Sequence, residues 1–143
     1  MSPGLSMSAA SEEGIFHAWE PPDTIVARYV GDLHVGHVRT GQLHVKTLQQ
    51  GLPHFLMLLE VSQLKSVSSD ARRAMSENGE TAKSLRGTAI VGASFRFRAL
   101  GSLIARAVAL LNRDIDNPLR FFATTDEAHA WLAERRLELA ARR

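Results

Sequence analysis

Six histidines and no cysteine bound the chemistry open to this chain. His34 and His37 are three residues apart and His44 lies seven further on, so a helix that starts early carries all three on roughly one side. A metal site there also needs an ordered carboxylate or water, and Gly36 and Gly41 blur where the helix begins. Surface or partly packed imidazoles are the better reading, and neither a metal nor another cofactor is expected. His17, His54 and His129 stand alone and read as structural. A serine nucleophile needs a sharp glycine-flanked turn with a histidine and a carboxylate to activate it. No G-x-S-x-G occurs, and Gly92-Ala93-Ser94 reads as a strand end. Phosphate cradles of the G-x-x-x-x-G-K-[ST] or G-x-G-x-x-G type are missing as well. The paired carboxylates Glu12 with Glu13 and Asp114 with Asp116 read as solvated charge. The expectation is a domain that catalyses nothing.

Position gives two weaker hints, because open α/β sheets bind ligands at the carboxyl ends of their strands. Ser66, Ser68, Ser69 and Asp70 open a helix, where backbone N–H groups and hydroxyls suit an anion or present a serine to a kinase. Plain N-capping explains the same serines. In the second place, Ser94 to Arg98, Phe95 and Phe97 alternate with Arg96 and Arg98. Arginines stack on rings and fork onto carboxylate or phosphate groups, so this segment suits the mouth of a pocket for an acidic partner or an anionic amphiphile. Core phenylalanines with solvated arginines are the plainer alternative.

The elements that must carry these residues follow from periodicity. Ile15–Glu20 and Thr24–Gly31 are β-branched and aromatic runs parted by Pro21, Pro22 and Asp23, a hairpin signal. From Leu33 to Gln50, Val35, Val38, Val45 and Leu48 recur at helical spacing, with Gly51 and Pro53 as a stop. Phe55–Val61 is a continuous apolar run, the mark of a central strand covered on both faces. A helix near Asp70, a second buried strand over Thr88–Ser94, and a helix with Leu100, Leu103, Ile104, Ala107, Val108 and Leu111 as its apolar stripe come next. Leu119–Ala123 reads as the last strand. Thr124 and Glu127 then form a capping box for a final helix whose stripe is Ala128, Trp131, Leu132, Arg135 and Leu139, its arginines and glutamates facing water. The order ββαβαβαβα predicts one α/β domain over 14–141, a mixed, mostly parallel sheet with an antiparallel N-terminal hairpin and about four helices.

Composition agrees. With 45% hydrophobic and 22% charged residues, the chain is that of an ordinary folded domain. Met1–Glu13 lacks a basic cluster and an apolar core, so it reads as a disordered leader rather than a secretory signal. No apolar run is long enough to span a bilayer, and the absence of cysteine suits the cytoplasm. The net charge of +2 hides a basic C-terminal half, but its arginines are interspersed with acids, so a solvated surface is favoured over nucleic-acid binding.

Tyr29-Val30-Gly31-Asp32, Leu58-Leu59-Glu60-Val61-Ser62, Phe121-Phe122-Ala123-Thr124, Ala128 and Trp131-Leu132 carry a further likeness. The run from Trp19 to Leu132 resembles the bacterial STAS-like family often labelled SpoIIAA-like, related to anti-sigma factor antagonists and to lipid-transfer CRAL-TRIO domains. The resemblance implies a four- or five-stranded mixed sheet backed by helices, used for protein docking or ligand holding. In the antagonist branch an Asp-Ser-Ser-Gly-Leu-Gly-like turn follows the strand ending at Ser62, and its second serine is phosphorylated. Here Ser68, Ser69, Asp70, Ala71 and Arg72 occupy the turn, so Asp70 stands at the acceptor position, with Ser68 or Ser69 as the remaining hydroxyls. The leading expectation is a protein-interaction module docking through Ser68–Met75, on an unidentified protein or on its own copy. The alternative is a carrier of a lipid-like anion, held by the third helix and Phe95–Arg98.

Overall fold

The computed structural model of the chain describes residues 13–77, 83–111 and 116–142, so the expected leader lies outside the described residues except for Glu13. Its elements are β1 (Gly14–Glu20), β2 (Thr24–Leu33), α1 (Val35–Leu48), β3 (Phe55–Val67), α2 (Ser69–Ser76), β4 (Leu85–Val91), α3 (Phe95–Leu111), β5 (Leu119–Phe122) and α4 (Thr125–Ala141). The strands form one five-stranded sheet in the order β1-β2-β3-β4-β5. β1 runs antiparallel to β2, and the other neighbours are parallel. The predicted ββαβαβαβα order and mixed sheet are therefore observed.

The order explains which face each helix takes. Parallel crossovers are overwhelmingly right-handed, and here each adds the next strand on the same side, so their helices fall on one face of the sheet. Val45 of α1 accordingly packs with Ile25, Ala27, Phe55 and Met57, and Val38 of α1 packs with Ala71 and Ala74 of α2. After β5 the chain crosses to the back, where Ala128, Leu132 and Leu139 of α4 cover Leu56, Leu58, Ala89 and Val91. β3 thus turns alternate residues toward helices on both faces of the sheet, as its unbroken apolar run predicts.

Several boundaries differ from expectation, those of the strands chiefly for a pairing reason. β3 runs on past Val61 because Asp32 pairs with Ser66 and Leu33 with Val67. β4 begins at Leu85 rather than Thr88 because Leu85 pairs with Phe55, and it ends at Val91 ahead of Gly92, whose φ of +80° turns the chain. α3 starts at Phe95, ahead of the expected stripe from Leu100, so Phe95–Arg98 is its first turn.

α4 opens on the predicted capping box: Glu127 N donates to Thr124 Oγ1 at 3.2 Å and Thr124 N to Glu127 Oε1 at 3.1 Å. Its arginines do not all face water. Arg135 is 3% exposed, lying along Gly87 of β4, where its Cγ is 3.2 Å from the position of an added Cβ. Its guanidinium donates to the Arg86 carbonyl, and to Asp116 Oδ2 at 2.9 Å and the Asp116 carbonyl at 3.1 Å. Hydrogen bonds from Arg142 and then Arg135 hold the Asp116 carboxyl below its ordinary value. Arg136 forks onto buried Asp23 at 2.9–3.1 Å and ties α4 to the β1–β2 turn. Buried polar groups must find partners, and a long arginine stem covers apolar surface while its head does so. A charged residue inside an apolar stripe is consistent with both.

Candidate ligand cavity

The two sequence-predicted clusters are built as helix starts. Ser68 is the N-cap of α2 and accepts from Ala71 N at 3.1 Å, while exposed Ser69 accepts from Arg72 Nη2 at 3.1 Å. Asp70 sits exposed in the same turn, favourable at the positive end of the helix. Ser66 belongs instead to β3, its hydroxyl donating to Asp32 Oδ1 at 2.6 Å. At α3, Ser94 Oγ accepts from Phe97 N at 3.3 Å, which makes it a cap. Phe95 is 89% exposed. Arg96 Nη2 donates to the Lys65 carbonyl at 2.9 Å and its guanidinium lies 4.8 Å from the Phe97 ring centre. Arg98 lies 5.9 Å from the Phe121 ring centre. Of Ser94–Arg98, only Phe97 turns inward.

What Phe97 faces is a cavity of about 250 Å³ between α3 and the sheet. Met57, Leu59, Val61 and Ile90 form its floor, Leu100, Ile104 and Val108 of α3 its roof, and Val38, Val45 and Met75 its far wall. No residue of 95–110 is fully buried, although α3 is the most apolar of the described helices. Its inward side therefore borders open space instead of closing on the strands. Among the described residues, no Asp, Glu, Lys or Arg lines this space.

Its few polar groups were not singled out by sequence, and they are uncharged at neutral pH. His17 projects from β1 on the same face as Ile15, with Nδ1 shielded from solvent and lacking a hydrogen-bond partner. Burial, and next the charge of His44 whose ring packs edge-on at 5.7 Å, lower its pKa to about 4. Tyr29 is pushed up to about 12 by burial. Gln42 Nε2 donates to the Ala74 carbonyl at 2.8 Å, and Thr88 Oγ1 to Asn117 Oδ1 at 3.3 Å. The one clue to His17 was Gly41: an added Cβ there would sit 3.3 Å from His17 Cε1, so the helix carries glycine where β1 approaches it.

The other histidines are local. His34 N donates to His37 Nδ1 at 3.0 Å, the rings stacking at 5.3 Å, which closes the start of α1. His129 meets Glu20 at 3.1 Å on the surface. Among the described residues no three His, Asp or Glu side chains converge as a metal site, and no helix is long and apolar enough to cross a membrane.

The depressed His17 gives a pH prediction. Below about 6.5 the unfolded chain takes up a proton that the folded chain refuses until about 4, so stability falls as pH drops through that window. We expect His17 to contribute ~1–2 kcal/mol of that loss, discounted for solvent screening. Urea midpoints against pH for the wild type and His17→Gln check it, with parallel curves as the contrary result.

By sequence, no known protein family matches the chain, and no curated protein does. By structure, it is similar to an uncharacterized protein of the DUF3478 family with a SpoIIAA-like fold from Shewanella loihica PV-4. That likeness has a TM-score of 0.63 and 20% identity, over 85% of this chain and 96% of that one. It is also similar to the anti-sigma factor antagonist SpoIIAA in its unphosphorylated form, with a TM-score of 0.57 and 16% identity over 84% of this chain and 98% of that one. With five strands in sequential order, an antiparallel hairpin at one edge and the four helices described above, the chain has the SpoIIAA-like, STAS-type fold that its resemblance implied.

Proposed function

We propose that this chain is a non-enzymatic STAS-like module that holds a small, uncharged, apolar molecule between α3 and the sheet. The observation that carries this reading is the uncharged wall that the described residues give the cavity. A hydrocarbon against such a wall leaves water at about 25 cal/mol per Å² of apolar surface, whereas an ionised headgroup inside it loses hydration with nothing to replace it. The anionic amphiphile expected from Arg96 and Arg98 is therefore narrowed to a neutral ligand. At about 250 Å³ the cavity sits just below the common range of small-molecule sites, about 300–1,000 Å³, which favours a short aliphatic or a compact aromatic compound of two or three rings.

Native mass spectrometry of freshly purified protein, with titration of the neutral dye N-phenyl-1-naphthylamine, tests the proposal. Saturable one-to-one binding at micromolar concentration is the expected result. Failure of both the dye and any co-purified small molecule to bind would sink it.

A second reading draws on the exposed start of α2. Ser69, Asp70 and Arg72 all face solvent there, beside a cap that fixes their geometry. Together with the likeness to an anti-sigma factor antagonist, this supports a regulatory protein contact through Ser68–Met75. Both readings are compatible, since Met75 touches the cavity while Arg72 points outward.

A further inference from the structure

The outer side of α3 has its own chemistry. Phe95, Leu103 and Leu110 are 89%, 61% and 67% exposed and recur at close to two-turn spacing, so they lie along one side of the helix. Arg106 is exposed among them, and Arg96 and Arg98 flank Phe95. Every charged residue of Phe95–Leu111 is an arginine. The contact of Arg96 with the Lys65 carbonyl sets exposed Lys65 beside the helix start.

We propose that this face docks on an anionic lipid surface, with Phe95, Leu103 and Leu110 entering the headgroup boundary and the arginines resting on lipid phosphates. Large apolar side chains mixed with cations and no acids suit that interface, where burial and surface charge act together. A second copy is the poorer occupant. A two-fold contact through α3 brings together two helices that carry arginines and no acid to pair with them, which costs affinity. Docking through this face does not depend on what the cavity holds.

Flotation with vesicles of phosphatidylcholine, alone or with a third phosphatidylglycerol, tests the proposal on the full chain. Binding is expected only to the anionic vesicles at about 0.1 M salt and is lost near 1 M, where the Debye length falls to about 3 Å. Arg106→Glu and Phe95→Ser each lower the partition coefficient about fivefold or more. Both replace exposed side chains, so the melting temperature stays at the wild-type value. No binding to anionic vesicles, equal binding to neutral ones, or indifference to both substitutions overturns the proposal, as does binding of polyglutamate in place of vesicles. Dye uptake by the cavity is read separately on the same preparations, so loss of one activity does not count against the other.

Discussion

Ala105→Phe is expected to lower affinity for N-phenyl-1-naphthylamine at least about a hundredfold, roughly 3 kcal/mol of binding free energy. Ala105 lines the cavity from the middle of α3, and a helix accepts phenylalanine there with little backbone conflict. In a close-packed core an added ring costs about 1–3 kcal/mol by forcing neighbours out of their rotamers. Here it has about 250 Å³ to enter, so the melting temperature should change by no more than a few degrees while the ligand space is lost. Those two readouts together separate occlusion of the cavity from collapse of the fold. Leu137→Phe on α4, where the residue is 72% exposed, adds the same kind of ring away from the cavity and should leave dye binding alone. Should Ala105→Phe fold poorly, Ala105→Leu asks the same question with a smaller side chain. Wild-type affinity in a folded variant means that the dye sits elsewhere and the ligand reading is wrong.

The architecture was legible in the sequence because each element announces itself locally. Phe55–Leu59 is apolar at every position since both sheet faces are covered, and Thr124 with Glu127 marks a helix start through hydrogen bonds a few residues apart. The misplaced boundaries are the ones set by partners distant in sequence. Nothing near Leu85 says that it will pair with Phe55, and nothing near Ser66 says that β2 continues to Leu33. The site was legible only in part for a related reason. Phe97 and the apolar side of α3 were visible as periodicity, but a cavity is a mismatch between two surfaces, and its existence depends on how far α3 stands from β3 and β4. His17 and Tyr29 reach that space from β1 and β2, on strands whose alternation reads as ordinary core. Arg135 misled for the opposite reason: a charge in an apolar stripe looks like surface until Arg86 and Asp116, brought near by β4 and the approach to β5, supply its partners.

Arg136→Met should destabilise the fold by about 3 kcal/mol, which in a chain of this length corresponds to a loss of about 10 °C in Tm. Asp23 is 8% exposed at the β1–β2 turn, and the guanidinium meets both of its carboxylate oxygens. Without Arg136, the carboxylate keeps only the Thr24 hydroxyl at 3.0 Å among these contacts and remains a buried charge without its cation. Breaking a buried ion pair from one side costs about 3–5 kcal/mol, and the side chain of Arg136 is 36% exposed, so the lower end applies because water can reach the gap. Adding Asp23→Asn to Arg136→Met removes the stranded charge and should recover about half of the loss, a coupling that the double-mutant cycle reads directly. A cost under about 1 kcal/mol would place the pair with ordinary surface ion pairs. α4 lies on the face of the sheet opposite the cavity, and neither Asp23 nor Arg136 lines that space. The folded fraction of Arg136→Met should therefore bind the dye with wild-type affinity, so that the residues holding the fold together and the residues holding a ligand can be separated by substitution.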